Sequence, residues 1–548
     1  MGAPLFFLKT STIMIMKRIN TSLAMAMMVI GLLTGLTACG GDDDGDEPAP
    51  SRKTTIKARA YSITEAAEYI ATELTEVTIS YSTTMSVSQS ANITLNGTKC
   101  TAKSSTTTAM DVVITLPSLE EGTSYTLTIP EGSFVSTKDA NQVNAALTIH
   151  FTTKAAAQPI DNSASALAKR LGWGWNLGNH FDTSSGQDGV PNQWGYWDNA
   201  TPTAALYTNL KKAGVSTVRI CVTWGNYQTA DPWTIDANYM AEVKQNVDWA
   251  EAAGLNVILN THHDEYWMNI KDAAGNNIVN DQIKDRLAKT WQQIADAFKT
   301  KGDFLFFEAF NEVQDGNWGW GDNLKDGGKQ YKTLNEWNQL IVNTIRATGG
   351  NNATRWIGVA AYASSPKFAL DDNFVLPTDD ANRIMVSVHY YDPDVFTLTP
   401  YEENNNNTYK SSGKSEWGHT AAAGKFAAGS NEEHVVETFQ KLQEKFIAKN
   451  IPVYIGEYGC VMHTNDRSNL FRNYYLEYVC RAAHEYNMPI VIWDNNSIGG
   501  GNEHHGYFDH SNGSYINGLE SLVQTMIKAA TSDDASYTLE SVYNNAPQ

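Results

Sequence analysis

Positive charge is in short supply: 40 Lys and Arg stand against 60 Asp and Glu over 548 residues, a formal net charge of −20 at pH 7. Such a chain repels a phosphate backbone and the anionic face of a membrane, which argues against nucleic acid as a partner. Cysteine is scarce too. Cys100, Cys221, Cys460 and Cys480 show no close metal-ligand spacing and read as buried thiols. Past the first forty residues no run is long and apolar enough to cross a bilayer. A GxGxxG turn is missing as well: Gly172-Trp-Gly-Trp-Asn-Leu-Gly-Asn179 has the wrong glycine spacing for a doubly wound dinucleotide fold. Aromatic residues, by contrast, are plentiful, with 15 Trp, 25 Tyr and 18 Phe beside only 18% charged residues. That balance suits a neutral ligand with apolar faces, and carbohydrate polymers fit the description.

The N-terminus has the order of a bacterial export signal read from Met16: Lys17 and Arg18, an apolar stretch from Leu23 to Leu36, then small residues before Cys39. The apolar stretch spans 14 residues, short of the roughly 20 that a transmembrane helix needs. Leu36-Thr-Ala-Cys39 resembles the lipobox of bacterial lipoproteins, which implies a signal peptide over 1–39 and lipidation of Cys39. An ordinary cleaved signal with an incidental Cys is the alternative. Residues 40–54, opening Gly-Gly-Asp-Asp-Asp-Gly-Asp-Glu-Pro, are too like-charged to bury and read as a solvated acidic tether. The tether resembles the export tag of Bacteroidetes surface lipoproteins, and its carboxylates lack the alternation of a calcium loop. The expected location is the outer membrane, lipid-anchored and facing the cell exterior.

Residues 55–153 are rich in Thr, Ser, Val and Ile in short alternating runs at 77–81, 111–116, 125–129 and 146–151, which predicts a β-sandwich. Glu121 to Gly132 and the closing Phe151-Thr-Thr153 resemble bacterial immunoglobulin-like spacer domains. The segment holds no Trp to stack on a sugar, so spacer is favoured over glycan binding. Residues 154–162 read as a linker. From 163 to 531, apolar runs beginning near Gly172, Ser216, Leu255, Phe304, Arg355, Ile384, Ile451 and Met488 alternate with amphipathic stretches. Eight such units predict an α/β domain of the (β/α)8 TIM-barrel type, leaving 532–548 as a C-terminal tail.

Polar residues punctuate the predicted strand ends, where a barrel keeps its chemistry. They are Asn179 and Asp182, Arg219, His262 and His263 before Asp264, Asn311 and Glu312, His389 and Tyr391, Glu457, and Trp493 before Asp494 and Asn495. Glu312 and Glu457 stand out because cleaving a glycosidic bond takes one carboxylic acid and one carboxylate on facing sides. Glu308, four residues before Glu312, reads as a structural buried carboxylate. His262, His263, Asp264 and His389 invite a metal reading, but no HExxH-like spacing exists.

The motifs Gly174-Trp-Asn-Leu-Gly-Asn179, Val218-Arg-Ile-Cys-Val-Thr-Trp224, His262-His263, Phe307-Glu-Ala-Phe-Asn-Glu312, His389-Tyr-Tyr391, Ile455-Gly-Glu-Tyr-Gly459 and Trp493-Asp-Asn495 resemble, in order, those of glycoside hydrolase family 5, subfamily 4 above all. The resemblance covers about two-thirds of the chain. It implies a retaining endo-β-1,4-glucanase acting on cellulose-type, mixed-linkage or xyloglucan chains, with Glu312 as general acid/base and Glu457 as nucleophile. It further implies that Arg219 favours ionised Glu457, that Asn311 reaches the sugar 2-hydroxyl, that His389 and Tyr391 orient the pair and that Trp493 stacks under the sugar. Asn179, Asp182, His262 and His263 complete the binding surface. Among the loop tryptophans 224, 267, 318, 320 and 417, Trp417 resembles a substrate-contacting residue. No metal or cofactor is implied, and a monomer is expected. Departures from the family pattern are Cys221 and Val313, where Pro is common, and Asn496, where Gly is usual. A mannanase or xylanase of the same fold, or a surface glycan-binding lipoprotein without catalysis, are the competing readings.

Overall fold

The computed structural model describes residues 53–64, 67–154, 161–187, 189–190, 197, 200–399, 413–498, 504–516 and 518–548. The export signal, Cys39 and nearly all of the acidic tether lie outside the described residues. Among those described, no helix is long and apolar enough to cross a membrane. The chain forms two compact units that divide at Gln158/Pro159, inside the predicted linker.

In the first unit, short strands from Thr54–Ile56 to Leu147–Thr153 make three sheets of four, five and four strands. Glu76–Ser80 pairs antiparallel with Asp111–Thr115, and Ser124–Ile129 with Leu147–Thr153, within two residues of the predicted runs. Alternation sends Val77, Ile79, Val112, Ile114, Leu127, Ile129, Ile149 and Phe151 into one core while Thr78, Val113, Thr128 and His150 between them are half-buried or exposed. This is the sandwich that the period-2 pattern predicts.

The second unit is a closed parallel barrel of β1 (Trp173–Leu177), β2 (Thr217–Ile220), β3 (Asn256–Asn260), β4 (Leu305–Glu308), β5 (Ile357–Ala360), β6 (Ile384–Tyr390), β7 (Val453–Tyr458) and β8 (Ile490–Ile492). Each strand begins within two residues of its predicted start. Parallel strands covered on both faces read as continuous apolar runs, and these are buried almost throughout. Outside pack α2 (Ala204–Ala213), α3 (Ala237–Ala252), α4 (Asn277–Phe298), α5 (Lys329–Ala347), α6 (Glu432–Lys445), α7 (Asp466–Glu485) and α8 (Glu520–Thr531). After β5 the connection holds only a 3-10 turn at Tyr362–Ser364 and the single helical turn Pro366–Ala369.

An N-terminal helix, α1 (Ala164–Leu171), is capped by the Ser163 side chain. Its Leu167 and Leu171 pack with Ile258, Phe306, Met385 and Tyr454 of the barrel strands, forming an apolar floor beneath the polar end. Residues 532–548 are not a tail, which corrects the sequence reading. Thr538 and Ser541 form a capping box that starts α9 (Leu539–Asn544), Val542 and Ala546 are buried, and Arg467 of α7 donates to the Gln548 carbonyl. The polar composition of this stretch hid the two apolar positions that dock it.

Candidate active site

Strand periodicity sets which side chains enter the barrel. The floor residues Ile258, Phe306 and Met385 are followed two positions on by Asn260, Glu308 and Ser387, and His389 lies two beyond Ser387. β7 breaks the rule by one residue. Val388 pairs with Ile455, but His389 pairs with Glu457, so a β-bulge skips Gly456 and aims Glu457 into the site. A side chain at Gly456 would crowd Ser387 Oγ and His389 Nε2 at 3.1 and 3.3 Å. Glycine thus avoids a tight contact where the strand re-aims its carboxylate.

Arg219 of β2 ties the site together from a fully buried position. Its Nε and Nη2 donate to the two oxygens of Glu308 at 2.8 Å each, its Nη1 to Glu457 Oε1 at 2.8 Å and Asn176 Oδ1 at 3.0 Å, and Nη2 also to Asn311 Oδ1 at 2.8 Å. A buried charge left unpaired costs roughly 3–5 kcal/mol, and the fork of donors here is fully used. Glu308 is held ionised: burial opposes its charge, but the Arg219 guanidinium prevails and sets its pKa below the usual carboxylate value. The expectation of a structural Glu308 holds.

Glu312 and Glu457 have different surroundings. One oxygen of each, with a ring nitrogen of His389, lies within 4.8 Å of the others. Glu312 keeps a 19% exposed side chain and shares a 2.7 Å hydrogen bond with His389 Nδ1. Its enclosure pushes its pKa up to about 7, although His263 and Arg219 pull it down. Burial also raises Glu457, opposed by His389 and Arg219. Glu457 accepts from Arg219 and, at 3.0 Å, from the Tyr391 hydroxyl, both of which favour its ionised form. Burial lowers His389 to about 4, so it is neutral when Glu312 titrates.

The wall beside the pair comes from the ends of β1, β3 and β8. Asp182 accepts from the Asn179 backbone N–H at 2.9 Å and lies 4.0 Å from His262 Nε2. Burial drives His262 well below the ordinary imidazole range. Burial works against charge on His263 as well, but the hydrogen bond and charge of Glu265 outweigh it and lift His263 to about 9. The Trp493 ring lies parallel to His262 with centroids 5.8 Å apart, in space that a Cβ on Gly178 would fill.

Among the described residues, two groups bring ligand-type atoms within 4.8 Å: Asp182, His262 and His263, and Glu312, His389 and Glu457. In each, a cation would have to compete with a proton at neutral pH. In the first, His263 is itself positive; in the second, Glu312 is partly protonated and bonded to His389.

Comparison with known proteins bears on what this geometry serves. The model of the cellulase family, glycosyl hydrolase family 5, matches residues 178–499. The chain belongs to glycoside hydrolase family 5. Endoglucanase A of Paenibacillus barcinonensis is 33% identical to the family 5 hydrolase over 65% of this chain and 88% of its own. A xyloglucan-specific endo-beta-1,4-glucanase of Bacteroides ovatus is 33% identical over 61% and 65% respectively. Among solved structures, the GH5-4 broad specificity endoglucanase from Bacteroides salanitronis is 44% identical over 69% of this chain and 98% of its own, with a TM-score of 0.63.

In this hydrolase the site gathers Asn179, Asp182, Arg219, His262, His263, Asn311, Glu312, His389, Tyr391, Glu457 and Trp493. Asp182 and Arg219 have no exposed surface: Arg219 acts through Glu457, the role argued for it from the sequence, rather than by touching substrate, and Asp182 positions its neighbours, a correction to reading it as part of the binding surface. Trp417 is a second correction. It is 1% exposed, packs among Tyr474, Tyr475 and Tyr478 of α7, and donates its indole N–H to the Ser430 carbonyl. Sequence reasoning also undervalued Asp494. This buried carboxylate accepts from the Trp175 indole at 2.7 Å, from the Tyr507 and Phe508 backbone N–H groups, and contacts His510 Nε2 at 3.1 Å. It staples the loop after β8 to β1. Its signal was its place between Trp493 and Asn495 at a strand end.

Proposed function

We propose that this family 5 hydrolase is a retaining endo-β-1,4-glucanase of subfamily 4, acting on cellulose-type, mixed-linkage or xyloglucan chains. The observation that carries the reading is the close, unequal carboxyl pair. A gap within 4.8 Å between an oxygen of Glu312 and one of Glu457 suits direct attack on the sugar; inverting pairs stand about 6.5–9.5 Å apart to admit a water. In the first step the Glu457 carboxylate attacks the anomeric carbon, while Glu312 passes its proton to the departing glycosidic oxygen. A glycosyl ester on Glu457 results. Glu312, now a carboxylate, then takes a proton from water as that water attacks the same carbon and the Glu457 ester bond breaks. The endoglucanase and xyloglucanase relatives support β-glucan as the substrate class. Two inversions leave the configuration unchanged, so proton NMR of fresh product should show the β-anomer first. An initial α-anomer would rule out the double displacement.

The N-terminal features support an address for this activity. Lys17 and Arg18, the apolar stretch, Leu36-Thr-Ala-Cys39 and the acidic run favour a lipoprotein anchored in the outer membrane, with the sandwich as an immunoglobulin-like spacer. A polymer too large to enter the cell has to be cut outside. Cys39→Ser is expected to abolish fatty-acid labelling and release or mislocalise the enzyme, with the activity of the released protein intact. Wild-type protein that takes up no labelled fatty acid, or that added protease cannot reach on intact cells, would remove the anchoring or the surface exposure respectively.

A further inference from the structure

Beneath the catalytic pair, three buried polar atoms converge without completing a hydrogen bond to the described residues: His389 Nε2, Ser387 Oγ and the Tyr454 hydroxyl. The three residues are 5% exposed or less. Ser387 pairs in register with Tyr454, and a Cβ on Gly456 would meet Ser387 Oγ, His389 Nε2 and the Tyr454 ring at 3.1, 3.3 and 3.4 Å. Tyr454 reaches from β7 to β5, where its hydroxyl takes the place that a side chain on Gly358 would need. Gly358 pairs with Glu308. The hydroxyl therefore lies beside the carboxylate that Arg219 holds ionised, and each acts on the other's ionisation.

Buried polar atoms are satisfied by protein or by ordered water in the great majority of cases, and a buried water makes about three hydrogen bonds. The polarity of those bonds is set from below. Ionised Glu308 only accepts, so the Tyr454 O–H points to it, and the Ser387 O–H points in turn to Tyr454. Both oxygens are left as acceptors. A water shared by two acceptors spends both hydrogens on them and turns a lone pair to Nε2, which must then carry the ring proton.

On the other side of the ring, Nδ1 faces Glu312 at 2.7 Å and Glu457 at 3.6 Å. Two carboxyl groups there draw a ring proton to Nδ1, where it would stabilise ionised Glu312 and weaken it as an acid. Resting on the retaining-hydrolase reading above, we infer that His389 Nε2, Ser387 Oγ and the Tyr454 hydroxyl bind one buried water that keeps the ring proton on Nε2, so that Nδ1 accepts from protonated Glu312. Ser387 and Tyr454 are positioning residues that act through His389. The other charged or titratable groups around the ring and Glu312 are Arg219 of β2, His262, His263 and Glu265 after β3, Glu308, Tyr391 and Glu457. None of them bonds to Nε2.

Crystals of the full-length protein should show one ordered water within hydrogen-bond reach of all three atoms, and its absence would overturn the inference. The second readout is the basic limb of kcat/KM on soluble mixed-linkage β-glucan. Either Tyr454→Phe or Ser387→Ala leaves the water a spare hydrogen to donate to Nε2. The ring proton then moves to Nδ1 and stabilises the Glu312 carboxylate, so the limb should shift down by about one pH unit, a loss of about tenfold in rate above it. Damage to packing lowers the whole curve and leaves the limb in place. An unmoved or raised limb in either folded variant would therefore overturn the inference while the reading of Glu312 as acid/base stands. Wild-type enzyme that releases the α-anomer first, or a basic limb on an activated aryl substrate that survives Glu312→Ala, would sink that reading itself and this inference with it.

Discussion

Glu457→Ala is expected to lower turnover of β-glucan by about 10⁴-fold or more, the scale seen when a nucleophile is removed from a unit that works together. The residual barrel keeps its fold, because Arg219 still has the paired oxygens of Glu308 and the side-chain oxygens of Asn311 and Asn176. Azide is small enough to enter the space the carboxylate leaves. With an activated aryl cellobioside it should attack from that face and give a glycosyl azide of inverted, α configuration. Product NMR distinguishes this outcome from simple hydrolysis.

Glu312→Ala should behave differently with each leaving group. Loss of the proton donor slows poor leaving groups by about 10²–10⁴-fold, whereas a dinitrophenolate leaves without help. Azide then intercepts the glycosyl ester on Glu457 and gives the β-azide. Recovery of the α-azide here, and the β-azide from Glu457→Ala, would exchange the two roles. The pH profile provides a second readout. Burial raises Glu312 to about 7, and the acid form is the one that works in the first step, so kcat/KM on the polymer should fall as pH rises through about 7. The acid limb belongs to Glu457, which must be a carboxylate to attack, and burial sets that limb above the ordinary carboxylate range. On an activated aryl substrate, Glu312→Ala should lose the basic limb and keep the acid one. Both limbs surviving would assign the basic limb to another group.

The barrel was legible because parallel strands buried on both faces have to be written as apolar runs, and each run ends where a polar residue meets the cleft. Glu312, Glu457 and Arg219 could be named from those endings. The bulge that aims Glu457 left only a faint trace, the Gly456 before it. Burial of individual tryptophans could not be read at all. Trp417 and Trp320 are the same residue type in loops at the same end of the barrel, yet the tyrosines of α7 enclose one while the other stays exposed with only the Lys367 ammonium over its ring. Those neighbours are far away in sequence, so no local pattern distinguishes the two. The same holds for residues 532–548, where Val542 and Ala546 are too few to register as an amphipathic face until α7 is in place.

The arrangement around Arg219 has an electrostatic consequence for what the cleft prefers to hold. Below the titration of Glu312, with His389 and His262 neutral, the centre contains one guanidinium and two carboxylates, Glu308 and Glu457. Arg219 and its two carboxylate partners together carry one unit of negative charge next to the anomeric carbon, set apart from the positive His263 on the neighbouring wall. A resting sugar is neutral and gains little from that field. The oxocarbenium-like state, whose positive charge lies between ring oxygen and anomeric carbon, gains most. The buried Glu308, which never touches the sugar, sets this bias by cancelling the arginine and leaving the Glu457 charge free to act.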